Sequence, residues 1–166
     1  MSYLNKPIIN TIGVYGFTED AFFQALVNAK IETFCDVRLR RGMRGKIYSF
    51  ANSKYLQNRL KQLGIKYVHA KELAPNQEIR NKQKLEDKKT GYVKRSRLTL
   101  SQDFIQAYKK QCLSEFKVKS FLEKMGKNVN CIILFCVEKE PAACHRSIIA
   151  SQIERELGLK VKHILP

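Results

Sequence analysis

The sequence predicts a three-layer α/β fold, in which a mainly parallel sheet of about five strands is flanked by helices. Short β-branched apolar runs alternate along the chain with longer segments of helical periodicity. Residues 131–137 are apolar without a break, which is typical of a central strand buried on both faces of a parallel sheet. Residues 7–37 read as strand, helix and strand, and such a crossover unit makes its two strands parallel.

The predicted elements account for most of the chain. Strands are predicted at residues 7–14, 31–37, 65–69 and 131–137, and a last short one carries the alternating Val161, His163 and Leu165. Helices are predicted after the capping residues Thr18, Asn52 or Ser53, and Ser101. A further helical segment covers residues 116–125, and the last helix runs from about Pro141 to Leu157, with Gly158 as its stop. We expect residues 1–166 to form a single domain.

Residues 75–100 depart from this pattern as a basic insertion or lid. The stretch is polar and rich in lysine and arginine, and a structureless loop of this length is unusual within a compact domain. Two interpretations stay open. The segment is either a mobile arm over a functional site or a helical hairpin with a solvated face.

Composition predicts a cytoplasmic protein without a membrane partner. The five cysteines are an odd number without regular spacing, which favours a reducing compartment over a disulfide framework. The chain has no apolar run near the roughly 20 residues of a membrane span, and its N-terminus lacks a signal-peptide core.

The net charge of +16 predicts an anionic partner, either a phosphate-bearing ligand or a nucleic acid. The alternative is a basic surface that serves solubility only. Residues 38–46 add five cations and two glycines without an acid, and guanidinium groups match phosphate or carboxylate. A solvated flexible loop would explain the same residues. The sequence contains no Walker or dinucleotide glycine motif, and we predict no cofactor.

The candidate site follows the strand at residues 131–137. Glu138 ends that strand, and Pro141 suits the first turn of a helix. We therefore expect Cys144, His145 and Arg146 in the opening turn of that helix, at the carboxyl end of the sheet where ligands of open α/β sheets bind.

Other strand ends contribute further candidates. Asp36 and Arg38 follow the second strand, and His69 and Glu72 follow the third. We predict that Arg38 and Arg146 form one anion site, and that Glu138, His145 or Asp36 transfers protons.

The cysteines allow two kinds of chemistry. A thiol beside His145 and Arg146 has causes for a lowered pKa, so Cys144 is a candidate nucleophile, although a buried packing residue is the alternative. Cys136, Cys144 and His145 lack the close paired spacing of zinc sites, and a fourth ligand would have to come from Asp36 or His69. We predict no metal site.

Five motifs, in this order along nearly the whole chain, resemble the domain-of-unknown-function 488 family. They are Thr-Ile-Gly at 11–13, Asp-Val-Arg at 36–38, Gly-Ile-Lys-Tyr-Val-His at 64–69, Phe104 with Tyr108, and the Cys-Val-Glu…Pro…Cys-His-Arg segment at 136–146. The resemblance implies a compact cytoplasmic prokaryotic α/β protein without a settled activity. It carries over Asp36, Arg38, His69, Glu72, Cys136, Glu138, Cys144, His145 and Arg146. Where members often continue with His-Ser after Thr-Ile-Gly, this chain has Val14 and Tyr15, and Tyr15 is placed among the ligand-binding candidates.

Three functions are compatible with these residues. The first is binding or processing of a phosphate-bearing ligand, a nucleotide or nucleic acid, at the carboxyl-terminal edge of the sheet. The second is a non-enzymatic nucleic-acid-binding module. The third is a thiol enzyme of sulfur-transfer or redox type that acts through Cys144.

Overall fold

The computed structural model describes residues 6–166 and has a five-stranded, all-parallel sheet between layers of helices. The predicted three-layer α/β fold is confirmed. The strands are β1 (Ile8–Ile12), β2 (Thr33–Asp36), β3 (Lys66–His69), β4 (Cys131–Phe135) and β5 (Lys162–Ile164). The helices are α1 (Glu19–Asn28), α2 (Ser53–Gln62), α3 (Gln77–Thr90), α4 (Gln102–Cys112), α5 (Val118–Met125) and α6 (His145–Leu157).

The strand order is β3-β2-β4-β1-β5, so β4 lies at the centre of the sheet. All five residues of β4 are buried, as its uninterrupted apolar sequence predicts. It pairs in parallel with β1, where Ile12 is opposite Phe135, and with β2, where Asp36 is opposite the same phenylalanine. The carboxyl ends of β1, β2 and β4 therefore lie side by side at the same end of the sheet.

The two faces of the sheet are covered by different helices. Phe22 of α1 packs against Phe34 of β2 and Phe135 of β4, which places α1 on one face. Side chains alternate along a strand, so the neighbouring Cys136 points to the opposite face, where it meets His145 of α6. Helix α4 lies on that second face, because the ring of Tyr108 packs against His145.

This arrangement makes the carboxyl end of β4 a topological switch point. The chain leaves β1 towards α1 on one face, whereas it leaves the adjacent β4 towards α6 on the other. A crevice opens where neighbouring connections diverge in this way, and ligands of open α/β sheets bind in such crevices.

The start of the last helix differs from the prediction. Residues Pro141–Ala143 form a separate 3-10 turn, and α6 begins only at His145. Cys144 is the extended N-cap residue rather than a member of the first turn, because its backbone φ is −140°. The predicted stop is confirmed, since Gly158 caps the helix with a left-handed φ of 62°.

Residues 75–100 contain one helix, α3, followed by a non-helical segment, so the second helix of the predicted hairpin is absent from this stretch. Asn76 caps α3 by accepting a hydrogen bond from the N–H of Ile79, and the helix packs against α4. Residues 91–100 then return to the start of α4, where the N–H of Leu100 donates to the carbonyl of Ala142. The basic segment is therefore tied to the turn that precedes α6.

Between residues 6 and 166 we find no helix that combines the length and the apolar character required to cross a membrane.

We predict that Asp87→Asn loosens the basic segment in a pH-dependent way. Asp87 accepts hydrogen bonds from Arg97 at 3.0 Å and from Gln83 at 2.8 Å. Burial raises the pKa of Asp87, but these hydrogen bonds outweigh burial and lower it. A carboxylate with a lowered pKa stabilises the fold above its unfolded pKa, and this contribution is lost as the pH falls through the folded value.

Chemical denaturation of the wild type and Asp87→Asn from pH 7 down to the acidic range measures this effect. We expect the variant to be less stable at pH 7, by about 1–3 kcal/mol for a hydrogen-bonded charge, and the difference to shrink in acid. A difference that does not depend on pH would contradict the prediction.

Candidate ligand pocket

A cavity of about 500 Å³ opens at the carboxyl end of β4. Its walls are formed by Tyr15 after β1, the loop after β2, the segment from Pro75 through α3 to the start of α4, and the segment from Cys136 to His145. The loop after β2 is held in place because Asn52, the N-cap residue of α2, accepts a hydrogen bond from the N–H of Met43 at 2.6 Å. The cavity thus lies at the switch point that the topology defines.

The lining of this pocket is strongly basic. Eight of the lining residues are cationic. Among residues 6–166, Glu138 is the one acidic residue that lines the pocket. The eight are Arg38, Arg40, Arg44, Arg80, Lys84, Lys94, Arg95 and Arg97. Such a surplus favours anions, and the low-dielectric walls of a cleft strengthen its field.

Glu138 is the buried carboxylate of the pocket. Only 7% of the residue is exposed. Its Oε1 lies 3.6 Å from the amine of Lys94 and 4.0 Å from the guanidinium of Arg97. Its Oε2 is buried and has no hydrogen-bond partner among residues 6–166. Burial and the charge of Cys144 raise the pKa of Glu138, and Lys94 opposes them.

Two thiols and an imidazole meet at the base of the pocket. His145 Nδ1 lies 3.9 Å from the Sγ of Cys136 and 3.9 Å from the Sγ of Cys144. The other ring nitrogen, Nε2, lies 2.9 Å from the carbonyl oxygen of Val37. A carbonyl can only accept, so Nε2 carries a proton, and in the neutral ring the lone pair of Nδ1 faces the two sulfurs.

The electrostatic surroundings make the two thiols unequal. Burial raises the pKa of Cys144, but a hydrogen bond from Cys136, the charge of Arg146 and, when the ring of His145 is protonated at both nitrogens, a hydrogen bond from His145 outweigh burial and lower it. The pKa of Cys136 is raised by its hydrogen bond to Cys144 and by burial. Burial lowers the pKa of His145, but its interaction with Cys144 raises that pKa by more. A cluster of this kind is suited either to nucleophilic chemistry or to holding a metal.

Arg146 has a structural position, which corrects the predicted anion site of Arg38 and Arg146. The residue is fully buried and does not line the pocket. Its three guanidinium nitrogens donate to the carbonyls of Glu138 and Lys139, at 2.6 and 3.1 Å, and to the hydroxyl of Thr11, at 3.4 Å. It therefore joins the exit of β4 to β1 and lies outside the pocket lining.

Asp36 and Arg38 form a second buried structural unit. The guanidinium of Arg38 donates to both carboxylate oxygens of Asp36, at 2.9 and 2.8 Å, and to the carbonyl of Ala51, at 3.0 Å. The hydroxyl of Tyr67 also donates to Asp36, and burial followed by the charge of Asp36 raises the pKa of Tyr67 to about 12. Asp36 is fully buried and does not line the pocket, so the structure does not bring it together with the other predicted catalytic residues.

The remaining predicted site residues fall into two groups. Glu138, Cys144, His145, Arg38 and Tyr15 all line the pocket. His69 and Glu72 do not: His69 donates through Nε2 to the carbonyl of Arg38, and the exposed Glu72 pairs with Lys124 beside a different cavity.

Sequence reasoning missed several lining residues as individual candidates. Arg40 and Arg44 belong to the loop with a predicted affinity for phosphate, and Arg80, Lys84, Lys94, Arg95 and Arg97 belong to the basic segment at 75–100. Their charge pattern is the signal that points to them. Cys136 lies near Cys144 in the sequence, but the seven residues between the two cysteines match no short metal or redox motif, so spacing alone does not select it.

Fold and pocket define the protein as a three-layer α/β protein with a basic pocket at the carboxyl end of a parallel sheet. A family model described as domain of unknown function DUF488 matches residues 18–153, most of the chain. The chain belongs to that family. No curated protein and no solved structure matches it significantly.

We predict that Gly13→Ala disrupts the junction between β1 and β4. A Cβ at this position would lie 1.8 Å from the carbonyl oxygen of Glu138 and 3.3 Å from Nη1 of Arg146. Backbone would have to move, so we expect the free energy of unfolding to fall by more than about 3 kcal/mol, at the severe end of single substitutions.

Gly42→Ala is the matched control in thermal or chemical unfolding, because its Cβ would meet only Asn52 Oδ1, at 3.9 Å. We expect this control to change stability by less than ~0.5 kcal/mol. Equal stabilities for the two variants would show that the close approach at Gly13 is unimportant.

Proposed function

We propose that this protein binds a phosphate-bearing ligand, a nucleotide or the phosphorylated end of a nucleic acid, in the basic pocket at the carboxyl end of β4. The observation that carries the proposal is the charge of the lining, eight cations against one carboxylate around a cavity of about 500 Å³. This volume lies within the range of ligand pockets, roughly 300–1,000 Å³.

The cations that contact the ligand in this proposal are the solvent-accessible ones. Arg40, Arg44 and Lys84 are exposed, and within residues 6–166 their side chains have no ion pair or hydrogen bond. Arg38 and Arg97, by contrast, bind Asp36 and Asp87. An accessible guanidinium can donate two parallel hydrogen bonds to a phosphate, which makes arginine well suited to this role.

An aromatic wall favours a nucleotide over inorganic phosphate. Tyr15 lines the pocket, and its ring packs against that of Tyr48 with centroids 5.2 Å apart. The guanidinium of Arg95 lies above both rings, at 5.4 and 5.8 Å from their centroids. The two rings are tilted by 52°, so a nucleobase would stack on a single π face in the pocket, that of Tyr15 or of the Arg95 guanidinium, while the cations bind its phosphates.

The double variant Arg44→Ala with Lys84→Ala tests the proposal. We expect it to bind AMP, ADP or a 5′-phosphorylated oligonucleotide at least about tenfold more weakly than the wild type, because each charge-assisted hydrogen bond contributes roughly 1.5–3 kcal/mol. Isothermal titration calorimetry with this ligand series, and with adenosine as the phosphate-free reference, measures the effect.

The matched control is Lys61→Ala with Arg155→Ala. It removes the same two charges from exposed positions on α2 and α6 that do not line the pocket. An equal loss of affinity in both double variants would attribute binding to the net charge and overturn the pocket site. Adenosine binding as strong as AMP binding would overturn the role of the phosphate.

A non-enzymatic nucleic-acid-binding role is the second candidate, and the distribution of charge along α3 favours it. Lys84, Lys88 and Lys89 are exposed on this helix, and Lys82 is half-buried. Basic residues therefore continue from the pocket rim along the helix, as expected for a surface that follows a phosphate backbone.

We predict that replacing Lys82, Lys84, Lys88 and Lys89 by glutamine lowers the salt dependence of single-stranded nucleic-acid binding. Removal of one lysine–phosphate ion pair should reduce the slope of log K against log salt by about 0.7. Fluorescence anisotropy at several salt concentrations measures the slope. If the quadruple variant keeps the wild-type slope, α3 is not a nucleic-acid surface. Nucleotide binding in the pocket is judged on the wild type, because the quadruple variant also removes Lys84 from the pocket lining.

A further inference from the structure

We propose that Cys136, Cys144 and His145 bind a divalent thiophilic metal ion, with zinc as the best match, and leave one coordination position open to the basic pocket. The donor set of two sulfurs and one imidazole nitrogen is that of zinc sites. This metal site goes beyond the proposed nucleotide binding. Each of the two sites can be disproved without disproving the other.

The distances fit a tetrahedral site. The three donor atoms lie within 4.8 Å of one another, and both sulfur–nitrogen distances are 3.9 Å. With Zn–S bonds of ~2.3 Å and Zn–N bonds of ~2.0–2.1 Å, donors of a tetrahedral zinc site lie about 3.5–3.8 Å apart. The two sulfur–nitrogen distances need a contraction of a few tenths of an ångström, and the sulfur–sulfur distance, which is at most 4.8 Å, needs one of up to about 1 Å, to place all three atoms at bonding distance from one ion.

The imidazole is already oriented for coordination through Nδ1. The N–H of Nε2 donates to the carbonyl of Val37 at 2.9 Å, and Tyr108 packs against the ring with centroids 5.5 Å apart. Metal-binding histidines are commonly held in this way, by a hydrogen bond from the ring nitrogen that does not bind the metal. The sequence-based prediction of no metal site depends on the spacing of the ligands along the chain. That spacing does not show that the fold brings Cys136 and Cys144 to Nδ1 of His145.

The open position faces the ligand pocket. All three donors line that cavity, so the fourth position is accessible to water or to a phosphate oxygen. Glu138 lines the same cavity, and its buried Oε2 has no partner among residues 6–166. A water molecule bound to the metal in this cavity would be a hydrogen-bond donor for such an oxygen. Three protein ligands with one open position are typical of catalytic rather than structural zinc sites.

Binding replaces thiol protons by the metal. Coordination of one Zn²⁺ by two thiols and neutral His145 forms two Zn–S bonds and one Zn–N bond, and it releases up to two protons to solvent. No oxidant or reductant takes part. Metal affinity should therefore rise with pH and be accompanied by proton release.

Cobalt titration of the full-length protein, reduced and freed of metal by chelation, tests the proposal. We expect one Co²⁺ per chain, a thiolate-to-cobalt charge-transfer band, intense visible bands of four-coordinate cobalt, and displacement by one equivalent of Zn²⁺. Cys136→Ser and Cys144→Ser should weaken binding by more than the ~10–100-fold cost of losing an outer-shell partner. Cys112→Ser, outside the cluster, should bind like the wild type.

A second measurement on the wild type keeps the test independent of variant folding. Zn²⁺ should protect Cys136 and Cys144 from alkylation, as mapped by mass spectrometry, and leave Cys112 reactive. Absence of the charge-transfer band, or its persistence in both cluster variants, would overturn the metal site. Rapid alkylation of Cys144 without zinc that continues at the same rate with zinc would also overturn it and would favour the thiol-enzyme hypothesis, whereas for a thiol that is too buried to react the cobalt spectrum decides. AMP titrations in the presence of chelator separate failure of the metal site from failure of the nucleotide site.

Discussion

The buried guanidinium of Arg146 holds together the part of the molecule on which the pocket depends. It donates to two successive carbonyls, of Glu138 and Lys139, and to the hydroxyl of Thr11 on β1. The chain after β4 passes so close to β1 that only a glycine fits at position 13. Because Glu138 belongs to this junction, the position of its carboxylate depends on a hydrogen-bond network whose members Arg146 and Thr11 do not line the pocket.

The arginines of this protein divide into two physical classes, and the division explains how a basic chain can fold around a basic pocket. Arg38 and Arg146 are buried, and their donors are satisfied by Asp36 or by backbone carbonyls. Charges held in this way are costly to bury, but they stabilise a defined arrangement once every donor is paired. Arg40 and Arg44 lie on an exposed loop and keep their solvent shell, so they can exchange water for an anionic ligand.

The proposed nucleotide and metal sites share one cavity, and their chemistry is compatible. Phosphate oxygens bind to cationic side chains and to hard or borderline metal ions, and a metal at the base of the pocket would add positive charge to the lining. Glu138 lines the same cavity; it pairs with Lys94 and Arg97 through one oxygen, and its other oxygen has no partner among residues 6–166. Glu138, which the sequence predicts to transfer protons, is therefore in the cavity that both proposed ligands would share.

The sequence by itself determined the parallel α/β fold and part of the pocket lining, including Glu138, Cys144 and His145. The apolar run at 131–137, the capping residues Thr18 and Ser101, and the stop at Gly158 act through local rules of burial and backbone geometry. Only the tertiary structure decided the strand order, and with it the separation of Asp36 and Arg146 from the pocket and the approach of Cys136 to His145. Whether a charged side chain binds a ligand or a neighbouring carbonyl depends on contacts between segments far apart in the chain. Residue type and spacing do not contain that information.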